Sequence, residues 1–208
     1  MEFEFKTDQE KFWAGQFGDE YIKRNTGAEA LADTVALFSR ILSRCPGSGS
    51  LIEFGANTGI NLRAIRSLRP TMSLDAVEIN ENAVSELAQW GGARRVHHRS
   101  ILDFEAEDTY DIALIKGVLI HVNPEFLARV YDSLYGATRR YIVVAEYFNP
   151  TPVEVEYRGH AARLFKRDFA GEMLDRFQNL RVVDYGFVWR RDPVFTQDDL
   201  TWFVMEVR

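Results

Sequence analysis

Leu51-Ile52-Glu53-Phe54-Gly55-Ala56-Asn57-Thr58-Gly59-Ile60-Asn61-Leu62-Arg63 decides the fold of this 208-residue chain. The apolar run closing on Glu53 and Phe54 reads as a strand, and the amphipathic stretch from Ile60 reads as a helix. Gly55 and Gly59 bracket the small turn Ala56-Asn57-Thr58 between them. Gly55 permits a sharp turn and lets a ligand approach bare backbone. A helix opening near Gly59 offers unpaired N–H groups to that ligand. The spacing is E-x-G-x-x-x-G. In the dinucleotide loop G-x-G-x-x-G a glycine admits the pyrophosphate, and here Asn57 stands in its place. A nucleotide-like ligand without a pyrophosphate suits this loop better.

Outward from the loop, strands and helices alternate. Strands are expected at 50–54, 73–79, 94–98, 110–116 and 140–146, with helices at about 60–69, 81–90 and after Pro124. Short links between alternating strands and helices imply a parallel sheet covered on both faces. Two strand-like runs, 181–190 and 201–207, have no helix between them and should pair antiparallel. Ahead of the sheet, Phe12, Trp13, Phe17 and Tyr21 mark an amphipathic segment over 11–24, interrupted around Gly15–Gly18. A cleaner helix spans 28–44 and stops at Pro46-Gly47-Ser48-Gly49. The chain reads as one domain over 1–208, with a helical cap at 1–45 and an α/β core at 50–208. Residues 147–167 read as an unusually long loop before a helix near Asp168. Such loops are usually functional, and this one is rich in aromatics, histidine and arginine.

Composition narrows the class. An apolar fraction of 46% and a charged fraction of 27% are those of a globular protein. No apolar run reaches the roughly 18 residues that span a bilayer. Met1-Glu2-Phe3-Glu4-Phe5-Lys6 lacks the apolar core of a signal peptide. The single cysteine, Cys45, has no internal disulfide partner, which suits the cytoplasm. Net charge is −6, and only Arg94-Arg95-Val96-His97-His98-Arg99 is locally basic. Nucleic acid is therefore not the expected partner, because its affinity is mostly electrostatic.

Several polar residues fall at strand ends, where ligands of such sheets sit. Glu78 ends the second strand, and an acid there can accept from both hydroxyls of a ribose. Ser100, Ile101 and Asp103 follow the third strand, where an adenine ring would lie. Lys116 ends the fourth strand. His121, Glu146, His160 and Asp168 are the candidate general bases, since an acceptor hydroxyl or ammonium must lose a proton. Tyr147, Asn149, Tyr157, Arg158 and Lys166 form a cationic and aromatic set suited to an anionic acceptor. Trp13, Tyr21 and Arg24 read either as core packing or as a flap over the ligand.

The loop, Glu78 and Lys116-Gly117-Val118-Leu119-Ile120-His121-Val122-Asn123-Pro124 resemble a class I S-adenosylmethionine-dependent methyltransferase. More narrowly, Phe12-Trp13…Phe17-Gly18-Asp19…Tyr21, Ala145-Glu146-Tyr147…Asn149-Pro150…Pro152-Val153-Glu154-Val155, Leu164–Met173 and Asp192-Pro193…Gln197–Phe203 are similar to the pseudaminic acid biosynthesis-associated methylases. The resemblance implies a Rossmann-like fold, with a mainly parallel seven-stranded sheet and an antiparallel C-terminal pair. It implies methyl transfer from S-adenosylmethionine, with S-adenosylhomocysteine as product and no metal. Glu53, Gly55, Ala56, Asn57, Gly59, Glu78, Ser100, Ile101, Asp103 and Lys116 would contact the donor, joined by Trp13, Tyr21 and Arg24. The implied acceptor is a nonulosonic, pseudaminic-type sugar acid or its precursor. An unrelated small metabolite, or a non-catalytic donor-binding subunit, stays open at this point. Asn149-Pro150-Thr151-Pro152 departs from the N-P-P-[YF] motif of base methylation at its last two positions.

Overall fold

The computed structural model describes residues 4–24 and 27–208. The signal-peptide reading of Met1–Lys6 rests partly on residues 1–3, outside the described residues. Thr7 opens α1 (Asp8–Ala14) with a capping box: its hydroxyl accepts from Glu10 N–H, and the Glu10 side chain accepts from Thr7 N–H. Gly15 ends α1, and α2 (Gln16–Ile22) starts at once, so the expected 11–24 segment is two short helices. Helix α3 (Ala28–Leu42) buries Leu37, Phe38, Ile41 and Leu42 along one stripe.

The core alternates as the sequence indicates: β1 (Ser50–Phe54), α4 (Ile60–Leu68), β2 (Ser73–Glu78), α5 (Glu81–Trp90), β3 (Arg95–His98) and β4 (Tyr110–Lys116). A 3-10 turn at Leu119–His121 precedes α6 (Leu127–Ala137) and β5 (Thr138–Glu146). After a hairpin, β6 (Val153–Tyr157) and β7 (His160–Lys166), come α7 (Phe169–Arg176), β8 (Leu180–Val188) and β9 (Leu200–Val207). The seven-stranded sheet has the order β3-β2-β1-β4-β5-β9-β8. Strands β1 to β5 pair in parallel, while β9 runs antiparallel to both β5 and β8. Both faces are covered, so alternate residues enter different cores. Ile52, Phe54, Ala113 and Ile115 pack beneath α6, and Leu51, Leu74, Ile112 and Leu114 pack beneath α3 and α4.

One sequence expectation is corrected. Residues 147–167 are not a long loop, because β6 and β7 form a separate two-stranded sheet. Its turn is Arg158-Gly159, with φ +54° and +84°, the two positive values of a type I′ hairpin. Asn-Gly is the usual signal for that turn, and arginine in the first position hides it. Val153-Glu154-Val155-Glu156-Tyr157 does alternate apolar and acidic residues, the pattern of a strand that the loop reading passed over, although every residue of β6 is at least partly exposed.

Asp75 anchors the parallel half. Its fully buried carboxylate accepts from Arg94 (2.9 and 2.8 Å), Arg95 (2.9 Å) and Tyr110 (2.7 Å), tying β2 to β3 and β4. The Arg94–Arg95 part of the basic run is thereby engaged within the fold. Burial acts to raise the Asp75 pKa, but the hydrogen bonds outweigh it and leave it below the usual value. Asp75→Asn is expected to cost roughly 3 kcal/mol in urea unfolding at neutral pH, because it uncouples a buried charge from its partners. The carboxylate's contribution is present in full above the ordinary Asp range and disappears as pH falls through the depressed native pKa. The wild-type and variant unfolding curves should therefore converge in strong acid.

Candidate functional site

A cavity of about 360 Å3 opens beyond the carboxyl ends of β1, β2 and β4, beneath α1, α2 and the β6–β7 hairpin. The strand order reverses between β1 and β4, the place where open α/β sheets leave a crevice. The glycine loop forms its floor. Gly55 has φ +75°, and a Cβ there would stand 2.6 Å from Val118 Cγ2. Gly59 has φ +83° at the start of α4, and a Cβ there would stand 2.3 Å from Leu87 Cδ1. Asn57 takes the left-handed conformation (φ +48°) that asparagine tolerates.

Glu78 holds this loop. Its carboxylate accepts from Asn57 N–H (2.7 Å), Ile79 N–H (2.8 Å) and Asn80 N–H (2.8 Å). A carboxylate has about four acceptor positions. Roughly one remains for a ribose hydroxyl, where the sequence suggested two. Burial raises the Glu78 pKa, against the lowering effect of the backbone donors.

Lys116 lines the cavity at the end of β4. Burial lowers its pKa, while the nearby carboxylates of Glu53, Asp198 and Glu146 favour its charge. Glu53 is fully buried beneath the loop and does not line the cavity. Burial pushes its pKa up to about 8; Asn61 donates to it at 2.6 Å, and its other oxygen has no partner. Glu146 likewise lies outside the cavity. It accepts from Val118 and Leu119 N–H, both at 2.9 Å, and burial raises it to about 7. Its visible work is to hold the turn that carries His121.

The roof is aromatic. Trp13 contacts Tyr21, His121 and Tyr157, with ring centroids 5.2, 4.6 and 6.4 Å apart. His121 and Tyr157 are 4.8 Å apart. His121 Nδ1 lies 2.6 Å from the Arg163 carbonyl of β7, so Nδ1 carries the proton and donates it. Burial lowers the His121 pKa to about 4, leaving the ring neutral near pH 7. Burial also raises the Tyr21 phenol to about 12.

Of the residues singled out in the sequence, Trp13, Tyr21, Arg24, Gly55, Ala56, Asn57, Glu78, Ser100, Ile101, Lys116, His121, Tyr147, Tyr157 and Arg158 line this one cavity. Gly59 shapes the loop without lining it. Asp103 stands outside, paired with Lys6 and Arg129. Asn149 donates to the Thr151 carbonyl at 2.6 Å, and Lys166 sits over the outer side of Tyr147 at 5.3 Å. His160 packs edge-on to Phe12 and Phe17, at 5.0 and 5.9 Å, and does not line the cavity. Tyr157 and His160 are opposed in the hairpin and share a face, but only the longer Tyr157 side chain lines the cavity. Sequence reasoning passed over Glu10, Asn61, Asn80 and Asp198, all of which line the cavity. Glu10 was detectable through the capping box with Thr7. Asp198 arrives from the β8–β9 connection to bond Tyr147, and no local signal announces that meeting.

No protein-family model and no curated protein sequence matches the chain. Solved structures resemble it in fold. An S-adenosylmethionine-dependent methyltransferase of Leishmania major superposes with TM-score 0.71 at 15% identity, over 96% of this chain and 87% of its own. Magnesium protoporphyrin IX methyltransferase of Synechocystis, with S-adenosylmethionine bound, gives 0.69 at 13% identity over 99% and 100%. A glycopeptide N-methyltransferase gives 0.67 at 13% identity over 85% and 97%. The strand order and the antiparallel final pair complete the match: this chain has the Rossmann-like fold of class I S-adenosylmethionine-dependent methyltransferases.

Proposed function

We propose that the chain transfers a methyl group from S-adenosylmethionine to a small anionic acceptor of the sugar-acid type. The supporting observation is the set of orphaned polar atoms around the cavity. Trp13 Nε1 and Arg24 Nη1 are buried donors without partners, and Asn61 Oδ1 is a buried acceptor without one. A zwitterion satisfies both kinds, its carboxylate at Arg24 and Trp13 and its ammonium at Asn61. Glu78 takes a ribose hydroxyl, and Ile101 offers an apolar surface to the adenine. Together these are the parts of S-adenosylmethionine.

The donor, when bound, supplies an electrophilic methyl carbon on a sulfonium. The protein's contribution is alignment and exclusion of water. Arg158, projected from the hairpin turn, offers a fork for a carboxylate or phosphate. Tyr157 and Tyr147 supply faces for a ring. The pseudaminic-type acceptor rests on the resemblance of the hairpin and tail motifs. His121 is the base. Its Nδ1–H is spent on Arg163, so Nε2 keeps a lone pair to receive the acceptor proton as the new bond to carbon forms and the bond to sulfur breaks.

Titration calorimetry should show binding of S-adenosylmethionine and S-adenosylhomocysteine but not NAD. A hydrogen bond to a charged group contributes about 1.5–3 kcal/mol. Glu78→Ala should therefore weaken the donor at least tenfold, and an unchanged isotherm would remove Glu78 from the donor site. Gly55→Ala should also weaken it, through the positive φ and the collision with Val118, and adding Val118→Ala should restore part of the loss.

With a panel of acidic sugars as acceptors and S-adenosylhomocysteine as readout, Arg158→Lys should raise the acceptor KM and leave donor affinity intact. His121→Asn keeps a donor for the Arg163 carbonyl but removes the base. It should lower kcat about 100-fold or more. The wild-type rate should persist into mild acid and fall only as pH approaches about 4, where His121 protonates. A rate lost near pH 6.5 would point to an ordinary, exposed histidine instead.

A further inference from the structure

Strand β8 is the free edge of the seven-stranded sheet. Among the described residues, seven of the ten exposed large apolar side chains fall between 182 and 195. Tyr185 and Phe187 are 66% and 55% exposed and share one face by strand alternation, and Trp189, just past the strand, is 48% exposed. A long, apolar, uncovered edge is the feature that monomeric proteins avoid.

The edge is open in its backbone as well. Tyr185 N–H donates to Asp184 Oδ1, away from β9. Tyr185 is thus one of the residues whose backbone groups point outward, and the alternation of an antiparallel pair gives Phe187 the same direction. We propose that this edge pairs with a second copy of the same chain, about a two-fold axis through Phe187, joining two sheets into one. This inference is independent of the methyl-transfer reading.

The sequence of the strand is complementary to itself about that point. Antiparallel pairing centred on Phe187 brings Tyr185 towards Trp189 of the second copy, the residue after the strand, and Asp184 towards Arg190, in the turn that Asp192 N–H closes on the Trp189 carbonyl. The aromatic residues of the two copies then cluster about the axis, with the opposite charges at either end. In the single chain, Asp184 is held by Arg44 at 2.6 Å, and Arg190 has only Asp199 at 3.5 Å. Pairing therefore gives the weakly partnered Arg190 a second carboxylate. A centre shifted to Gly186 would set Arg181 against Arg191, two like charges. An isologous contact of this kind closes on itself as a dimer.

The test is sedimentation and light scattering on the whole chain, whose mass is 24.0 kDa. Wild type should run at twice that mass in the micromolar range. Phe187→Asp, at a side chain outside the core, should keep its circular dichroism and weaken dimerisation at least tenfold. Phe187→Cys provides a second measurement. Hydrogen-bonded antiparallel partners lie about 5.5 Å apart at Cα, within disulfide reach. The chain's own thiol, Cys45, is buried. Phe187→Cys should form an inter-chain disulfide without reductant, and Val194→Cys, more exposed but off the strand, should not. Single-chain mass up to ~100 µM, a range that fills any micromolar dimer, would overturn the proposal. So would a dimer indifferent to Phe187→Asp, or equal cross-linking at Val194.

Discussion

The Glu78 carboxylate clasping the glycine loop is the interaction on which the site depends. Asn57 N–H reaches across from the β1–α4 connection to the end of β2, and Ile79 and Asn80 N–H close the other side. One side chain thus fixes the loop's height above the sheet and the direction of the turn into α5. Asn80 continues the linkage: its side-chain oxygen caps α5 at Ala83, and its amide donates to Asp19 of α2. The roof is referenced to the floor through Glu78 and Asn80.

The roof itself is assembled from three distant segments. Gln9 donates to the Ala162 carbonyl, and the Arg163 carbonyl accepts from His121 Nδ1–H. Ala162 holds a positive φ of +53°, which an alanine adopts only where its surroundings impose it. These bonds couple the position of the hairpin to the tautomer of His121.

Charge is distributed around this arrangement with some economy. Lys116 faces three carboxylates from β1, β5 and the β8–β9 connection, so elements far apart in sequence meet in one electrostatic group. Asp198 also accepts from Tyr147, which burial and that bond make a very weak acid. Asp75 does the equivalent work at the opposite end of the sheet with Arg94 and Arg95.

The sequence by itself determined the α/β order, the bounds of every strand in the main sheet to within about two residues, and the glycine loop. Those features rest on local signals: strand-like runs of four to nine residues, glycines that take positive φ, and proline and glycine stops. It also identified Glu78, because an acid ending β2 is tied to its place by chain connectivity. Tertiary structure alone decided which side chains share the cavity. Tyr157 and His160 pair across the hairpin and share a face, yet only the longer Tyr157 side chain reaches the cavity, while His160 stops against Phe12 and Phe17 of α1 and α2. Glu146 and Glu53 look like site acids at strand ends, yet one caps a turn and the other lies beneath the loop. Asp198 joins the site across nearly the whole length of the chain. Periodicity records which face of an element is buried; which faces then meet is settled only by packing.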